Sequence, residues 1–311
     1  MRAAAKSLMS ARARHLLRSQ YNFLRERGPV QFATLNAMLL ASVVRERLNR
    51  PSYRTLDEHQ LVSARRSETV FIFGSGYSLN DITAEEWRQI AAHDTFGFTS
   101  FIYQHWVRTD FHLIRGGLEN VLMSKPFAED FCRTLNANPL FADTCFVMQG
   151  DYRAMFANQI LGHRWLRPGA RVYRYKTAPE EGLPTHSLAE GVRHTGGTLG
   201  DVVNVAACLG WSHIVLVGVD LYDSRYFWLQ PDETLEFDPA TGLLKAGRVN
   251  PRGHRADELH NTARNGVVEM MGQWRTHLER ERGIRMSVFN PRSLLAGVMP
   301  VYQLAQEGHP A

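Results

Sequence analysis

From residue 69 onward the chain alternates short, almost wholly apolar runs with helical stretches. Runs such as Thr69–Phe73 and Ile214–Val219 are apolar at nearly every position, whereas a strand with one solvated face would alternate apolar and polar residues. Strands covered on both faces have this composition, and helical connections allow neighbouring strands to run parallel. The sequence therefore predicts a single α/β domain with a mostly parallel sheet. The other predicted strands are Thr95–Phe101, Phe111–Ile114, Cys145–Met148, Arg171–Tyr175 and Arg285–Phe289, and the predicted helices include Thr83–Ala92, Leu199–Leu209 and Asp257–Arg282.

The basic residues are concentrated in the first 55 positions. This segment holds eleven basic and two acidic residues, a net charge of +9 in a chain whose total is +5. Leu16, Leu17, Tyr21 and Leu24 recur there at helical spacing, with arginine on other positions. We interpret residues 1–55 as a basic helical arm that either packs on a protein surface or lies on anionic lipid headgroups.

The remaining chain, residues 56–311, is assigned to the α/β domain. Within it the stretch 223–256 is polar and contains Pro231, Pro239 and Pro251. A long irregular segment in a compact domain commonly carries function. We therefore expect residues 223–256 to form a lid-like insertion.

Cysteine usage and hydropathy bear on the compartment. Cys132, Cys145 and Cys208 show no C-x-x-C spacing, which favours reduced thiols over a disulfide framework. The apolar run Ala37–Val44 is far too short to cross a bilayer, and the N-terminus lacks an apolar core followed by a small-residue cleavage site. We expect a cytoplasmic protein, with peripheral contact at the inner membrane through residues 1–50.

A glycine turn follows the first strand of the domain, in "TVFIFGSGYSLND" (69–81). A dinucleotide fingerprint would require a third glycine where Leu79 stands, and a phosphate-binding P-loop would require Gly-Lys-Ser/Thr after Gly76. Both motifs are excluded. Close backbone approach at Gly74 and Gly76, with nearby amide groups and the hydroxyls of Ser75 and Ser78, would suit an anion. A tight structural turn explains the same residues.

Three C-terminal segments and the glycine turn together carry a resemblance. They are "ACLGWSHIVLVGVDLYDSRYFWL" (207–229), "LHNTARNGVVEMM" (259–271) and "FNPRSLLAG" (289–297). In this order they resemble the bacterial sialyltransferases of glycosyltransferase family 42 and the wider group of motility-associated glycosyltransferases. The resemblance covers roughly residues 69–300. It implies a Rossmann-like, variant nucleotide-sugar fold, and it implies inverting transfer of an acidic, sialic acid-like sugar from a CMP-sugar donor to a cell-surface glycan.

The resemblance implies roles for individual residues. His260 falls where the family places the general base that deprotonates the acceptor hydroxyl, with His254 as a second candidate. Tyr222 and Tyr226 fall where two hydroxyls contact the departing phosphate. Arg193 matches an arginine that would pair with the donor's carboxylate or phosphate. Either Thr195 or Thr198, beside the glycines that open the following helix, would supply a further nucleotide contact.

The chain departs from the family pattern at three asparagine positions. Ser75 replaces the asparagine of the glycine turn, and Thr99 matches a second nucleotide-contacting asparagine. The third, near the donor sugar, aligns with Arg115 or Gly116. A hydroxyl cannot reproduce the paired donor and acceptor of an amide, so the nucleotide base and the sugar are left open. Gly74, Gly76 and Ser78 complete the predicted nucleotide-binding set.

No cofactor and no catalytic metal are expected besides the CMP-sugar co-substrate. His254, Asp257, Glu258 and His260 are close in sequence but lack the H-E-x-x-H spacing. The expected partners are the donor, a glycan or lipid-linked acceptor and further copies of the chain, but no nucleic acid. Two alternatives stay open, namely Mg²⁺-dependent diphosphate transfer to a small alcohol, as in the pterin diphosphokinases that share this core, and nucleotide or glycan binding without catalysis.

Overall fold

The structure is a computed structural model, which describes residues 11–116, 125–151, 154–228, 235–237, 244–249 and 259–304. Most of the predicted lid and the candidates His254, Asp257 and Glu258 lie outside these residues. No helix among the described residues combines the length and apolar character that a membrane crossing requires.

A parallel sheet of eight strands forms the centre of the domain, as the apolar runs predict. Its members in chain order are β1 Arg54–Thr55, β2 Thr69–Phe73, β3 Asp94–Phe98, β4 Phe111–Ile114, β5 Cys145–Gln149, β6 Arg171–Tyr175, β7 His213–Val217 and β10 Arg285–Val288. A separate antiparallel ribbon pairs β8, Leu235–Phe237, with β9, Leu244–Val249, within the predicted lid region. The fold is therefore α/β with a parallel sheet.

Helices flank both faces of the sheet, and each face buries its own apolar cluster. The helices are α1 Ala11–Asn49, α2 Glu58–Val62, α3 Ala84–Ala91, α4 Lys125–Ala137, α5 Met155–Gly162, α6 Thr198–Leu209, α7 Asn261–Arg264 and α8 Val267–Arg282. A capping box formed by Thr83 and Glu86 begins α3, where a helix is predicted from the sequence. Burial on both faces explains why β2 and β7 contain so few polar residues.

Three predicted element boundaries are wrong for one reason, which is a backbone conformation with positive φ. The third strand ends at Phe98 because Thr99 has φ of 48° and begins a short 3-10 turn. Strand β7 ends at Val217 because Gly218 has φ of 62°. The helix predicted over 257–282 is divided into α7 and α8 at Gly266, which has φ of 75°. Apolar residues follow each turn, at Phe101, Val219 and Val267, so the apolar pattern alone does not reveal the turns.

The strand order places a change of direction at β2. The order across the sheet is β1-β6-β5-β4-β3-β2-β7-β10, so the chain proceeds from β2 through β6 towards one edge and then returns to β7 on the other side of β2. Connections leave the carboxyl ends of β2 and β7 in opposite directions at this point. In open α/β sheets, a crevice outside the strand ends at such a position is where ligands bind.

The basic arm is a long helix with a kink. In α1, Gly28 has φ of 79° and ψ of 168°, and Pro29 follows it. After the kink the helix packs on α5, and Leu35 and Leu39 are buried against the same face of the sheet as Phe71. The second half of the arm is therefore continuous with the packed domain.

A buried polar network anchors this second half. The carboxylate of Glu46 accepts a short hydrogen bond from the hydroxyl of Tyr53 and lies 3.6 Å from the guanidinium of Arg174 in β6. The same guanidinium donates to Asn158 of α5 at 2.6 Å. Both charged side chains are about one-tenth exposed, with 9% for Glu46 and 13% for Arg174. Loss of Glu46 would leave Arg174 buried without its counter-ion.

We expect Glu46→Ala to destabilise the protein by about 3 kcal/mol, because Arg174 would stay buried and unpaired. The control is Glu26→Ala, at an exposed position of the same helix, for which we expect a change within about 0.5 kcal/mol. Urea unfolding monitored by circular dichroism measures both. Equal stability of the two variants would contradict the anchoring role of Glu46.

Candidate functional site

A cavity of about 500 Å³ opens at the carboxyl ends of β2, β3 and β7, at the change of direction in the sheet. The N-terminus of α6 and the start of α7 close its other sides. Its volume lies in the range typical of small-molecule sites. The lining residues are Gly74, Ser75, Gly76, Phe98, Thr99, Ser100, Gly196, Gly197, Thr198, Leu199, Gly218, Val219, Asp220, Leu221, Asp223, Arg225, Tyr226, His260, Thr262 and Asn265.

The two glycines of the turn after β2 serve close packing against the end of β7. The amide of Gly74 donates to the Val217 carbonyl at 2.8 Å, and that of Gly76 donates to the Gly218 carbonyl at 2.7 Å. A Cβ on Gly74 would lie 2.5 Å from the Gly218 carbonyl oxygen. The close backbone approach predicted at Gly74 and Gly76 is therefore made to the neighbouring strand, which uses the amides of both glycines.

The buried carboxylate of Asp220 holds the glycine turn after β2 through hydrogen bonds. Asp220 is 2% exposed, and it accepts hydrogen bonds from the amide and the hydroxyl of Ser78 and from the side-chain amide of Asn290. A Cβ on Gly76 would lie 2.5 Å from a carboxylate oxygen of Asp220. The hydroxyl of Ser78 is consequently directed into the protein and does not line the cavity.

The segment after β7 folds back over the glycine turn and brings a phenol into the cavity. Tyr226 forms an antiparallel bridge with Gly76, and the amide of Phe227 donates to the Ser75 carbonyl at 3.2 Å. The ring of Tyr226 stacks on Trp228 with centroids 4.5 Å apart. Burial raises the pKa of Tyr226, so its hydroxyl stays protonated at neutral pH and can donate a hydrogen bond.

Arg225 supplies a cationic side chain to the cavity wall. Its guanidinium makes a bidentate pair with Asp223, with Nη2 to Oδ2 at 2.8 Å, and lies 3.8 Å from the centroid of the Tyr77 ring. These contacts fix the guanidinium plane and leave further N–H groups for an anion. Arg225 is not among the residues predicted from the sequence, although it stands directly before Tyr226.

His260 lies opposite, at the start of α7, and its hydrogen bonds define its tautomer. Its backbone amide donates to the Leu221 carbonyl at 2.9 Å, and its Nδ1 accepts from the amide of Thr262 at 3.2 Å. Burial lowers the pKa of His260, which favours the neutral ring. A neutral imidazole that accepts at Nδ1 carries its proton on Nε2. In this arrangement Nε2 is therefore a hydrogen-bond donor.

Three residues predicted for the site do not line the cavity. The hydroxyl of Tyr222 lies 3.5 Å from the side-chain amide of Asn290, and Arg292 lies over its ring. Arg193 donates to the backbone carbonyls of residues 180 and 183, and the Thr195 hydroxyl lies 3.4 Å from the amide of Gly182. Of the two alternatives Thr195 and Thr198, it is Thr198, at the first position of α6, that lines the cavity.

The two residues predicted to contact the donor sugar also lie outside the lining. Arg115 is paired with Asp201 at 2.9 Å, and its guanidinium lies 3.4 Å from the Tyr175 hydroxyl. Burial lowers the pKa of Arg115, but its two partners outweigh burial and raise that pKa above its ordinary value. A Cβ on Gly116 would lie 2.5 Å from the ring of Phe156, so this glycine permits close packing.

The structure thus brings together residues from three of the four segments that carry the resemblance, whereas the segment 289–297 contributes none to the cavity lining. Seven predicted site residues line the cavity, namely Gly74, Ser75, Gly76, Thr99, Thr198, Tyr226 and His260. Sequence reasoning missed Arg225, Ser100, Thr262 and Asn265. Of these, Ser100 follows Thr99 at a strand end, and Thr262 and Asn265 follow His260, so proximity to predicted residues was the available signal.

Most of the residues that the sequence offers as metal ligands belong to the segment 250–258, which the structure does not describe. Among the described residues, no three histidine, cysteine or acidic side chains lie close enough to hold a metal ion. His254, Asp257 and Glu258 lie outside those residues. Metal independence stays a prediction.

Comparisons with known proteins give low similarities. No protein-family profile matches the chain, and no curated protein matches its sequence. A variant of the sialyltransferase CST-II in complex with CMP superposes with a TM-score of 0.43 and 14% identity, over 76% of this chain and 87% of that one. The MAf glycosyltransferase from Magnetospirillum magneticum AMB-1 gives 0.40 and 15%, over 88% of this chain and 39% of that one. The function proposed below therefore rests on this chain's own residues and on the sequence resemblance, and not on these superpositions.

We expect Gly76→Ala to disrupt the cavity, because its Cβ would collide with Asp220 and with the Gly218 carbonyl. The cost is about 1–3 kcal/mol of stability, and binding of any cavity ligand should fall by at least tenfold. Gly297→Ala is the matched control, since a Cβ there meets no atom within 4 Å. Thermal unfolding measures both variants, and a Gly76→Ala protein as stable as the control would contradict the packing described.

Proposed function

We propose that this cavity binds the nucleotide of an activated sugar and that the protein is a glycosyltransferase. The observation that carries the proposal is that Tyr226, Arg225 and His260 all line one cavity at the topological switch point. Together with the sequence resemblance, this set of donors favours a ligand with a phosphate group.

The proposed reaction is one displacement with inversion. An acceptor hydroxyl attacks the anomeric carbon, and the bond from that carbon to the nucleotide phosphate breaks with its electrons leaving on the phosphate. Negative charge develops on the phosphate oxygen, and pre-positioned donors stabilise it. Tyr226 and Arg225 are proposed as those donors, and the N-terminus of α6, at Gly197 and Thr198, adds a favourable dipole.

The proposed donor is a CMP-sugar with an acidic, sialic acid-like sugar, and the proposed acceptor is a cell-surface or lipid-linked glycan. Both follow from the resemblance. Arg225 at the cavity wall suits the anionic character of such a donor. Ser75 and Thr99, which line the cavity in place of the family's asparagines, are proposed to contact the nucleotide through their hydroxyls.

For His260 we propose a role that differs from the general base predicted from the sequence. With Nδ1 held by the amide of Thr262, the ring presents an Nε2–H group. A neutral donor of this kind suits a phosphate oxygen and cannot accept a proton without breaking the cap of α7. We therefore assign His260 to the phosphate, beside Tyr226.

Turnover of a donor panel tests the proposal, with two tyrosine variants compared. We expect the wild type to consume a CMP-sugar, and we expect Tyr226→Phe to lower kcat about 100-fold, because one transition-state hydrogen bond is lost. Tyr222→Phe is the control, since its hydroxyl lies beside Asn290 outside the cavity, and it should stay within threefold.

Three outcomes would contradict the proposal. In the first, no CMP-, UDP- or GDP-sugar is consumed. In the second, Tyr222→Phe loses activity while Tyr226→Phe keeps it. In the third, the protein instead transfers diphosphate from ATP to an alcohol and stops on removal of Mg²⁺, which would favour diphosphate transfer.

We also propose that the first half of α1 contacts an anionic membrane surface. Leu17 and Tyr21 are 56% and 64% exposed, and Leu24 is 37% exposed. Arg18 and Arg25 stand beside them on the helix. Exposed apolar side chains next to arginines suit the boundary between acyl chains and anionic headgroups. Such a contact would hold the enzyme near lipid-linked acceptors.

Vesicle sedimentation tests this contact. We expect the wild type to bind phosphatidylglycerol vesicles, to bind phosphatidylcholine vesicles poorly, and to dissociate in 0.5 M salt because the charges are screened. Leu17→Glu with Tyr21→Glu should abolish binding. The control, Leu40→Glu with Leu48→Glu, changes exposed residues beyond the kink and should keep it. Equal binding of both double variants, or no preference for anionic vesicles, would contradict the proposal.

A further inference from the structure

A second histidine, which the proposed reaction does not yet use, is held against a buried carboxylate. Nδ1 of His194 lies 3.0 Å and 3.2 Å from the two carboxylate oxygens of Asp201. Asp201 lies in the first turn of α6 and is 0% exposed, whereas the side chain of His194 is 42% exposed. The pair therefore joins a buried acid to a ring that solvent and ligands can reach.

The carboxylate of Asp201 is fixed from its other side. The guanidinium of Arg115 donates to its Oδ2 at 2.9 Å, and the hydroxyl of Tyr175 donates to the same oxygen at 3.3 Å. Burial raises the pKa of Tyr175, which keeps this hydroxyl a donor. Arg115 follows the end of β4 and Tyr175 ends β6, so residues from two strands hold the acid of α6 beside His194.

This contact sets the tautomer of His194. A carboxylate only accepts hydrogen bonds, so Nδ1 carries the proton that it donates to Asp201. Nε2 of the neutral ring is then an acceptor with an available lone pair. His260 has the opposite arrangement, because its Nδ1 accepts from the amide of Thr262. Nε2 of His194 can therefore accept a proton, whereas Nε2 of His260 can donate a hydrogen bond.

His194 stands close to the cavity lining in sequence, and its partner Asp201 belongs to a helix that begins at the cavity. His194 precedes Gly196, Gly197 and Thr198, which line the cavity between the glycine turn and α6. Its partner Asp201 lies one turn further along the helix whose N-terminus forms that wall. The ring itself is not among the lining residues, so a substrate reaches it by extending from the cavity past Gly196.

The geometry points to His194 as the general base of the transfer reaction, positioned by Asp201. The inference rests on the proposed function and names the proton acceptor of the same site. Nε2 takes the proton of the acceptor hydroxyl while that oxygen bonds to the anomeric carbon. The bond to the phosphate breaks, its electron pair leaves on the phosphate oxygen, and the imidazolium later releases its proton to water. Asp201 stabilises the imidazolium without taking the proton.

Donor consumption with two nucleophiles tests this role. Water needs a base when it attacks CMP–sialic acid, whereas azide attacks as an anion and needs none. We expect His194→Gln, whose amide can still donate to Asp201, to lower hydrolysis by about 100-fold or more. Azide-dependent consumption should stay within threefold of the wild type. His186→Gln, at an exposed position on the same connection, is the control, and both of its rates should stay within threefold.

The outcomes separate this inference from the proposed function. Hydrolysis by His194→Gln within threefold of the wild type overturns the base role of His194 alone. A parallel loss of hydrolysis and azide consumption, in a variant whose melting temperature is unchanged, also overturns it. If His194→Gln does not fold, His194→Asn replaces it under the same criteria. A wild type that consumes no nucleotide-sugar overturns the proposed function, and this inference with it.

Discussion

The site depends on the contact between the glycine turn after β2 and the end of β7. Gly74 and Gly76 donate their amides to the carbonyls of Val217 and Gly218, and neither position has room for a Cβ. This contact continues the pairing of the two strands beyond the sheet and places Asp220 under the turn. The cavity wall is therefore built by strand pairing, and its glycines are needed for proximity rather than for direct ligand contact.

The polar side chains in and near the cavity are held in place by contacts with other residues. Tyr226 reaches the cavity because its segment bridges to Gly76, and burial keeps its phenol protonated. His194 and His260 are held in opposite tautomers, one by Asp201 and one by a backbone amide. A displacement at a sugar carbon requires a proton acceptor on one side and donors to the leaving phosphate on the other. The two histidines and the tyrosine can divide these tasks.

Much of the fold could be predicted from the sequence, because strands buried on both faces need apolar residues at nearly every position. The site was predicted less completely. Tyr226 and His260 line the cavity as predicted, whereas Tyr222 lies beside Asn290 and Arg115 beside Asp201. These partners come from elements far along the chain. Only the three-dimensional packing decides whether a charged or phenolic side chain binds another residue of the protein or faces the cavity.

The most direct measurement is a crystal structure of the protein with CMP bound. The account predicts that the phosphate lies in the switch-point cavity, within hydrogen-bond distance of the Tyr226 hydroxyl and Nε2 of His260, with Nδ1 of His260 still accepting from Thr262. A nucleotide bound elsewhere, or a phosphate in the cavity that touches neither side chain, would contradict the central claim that this cavity receives the leaving group of an activated sugar.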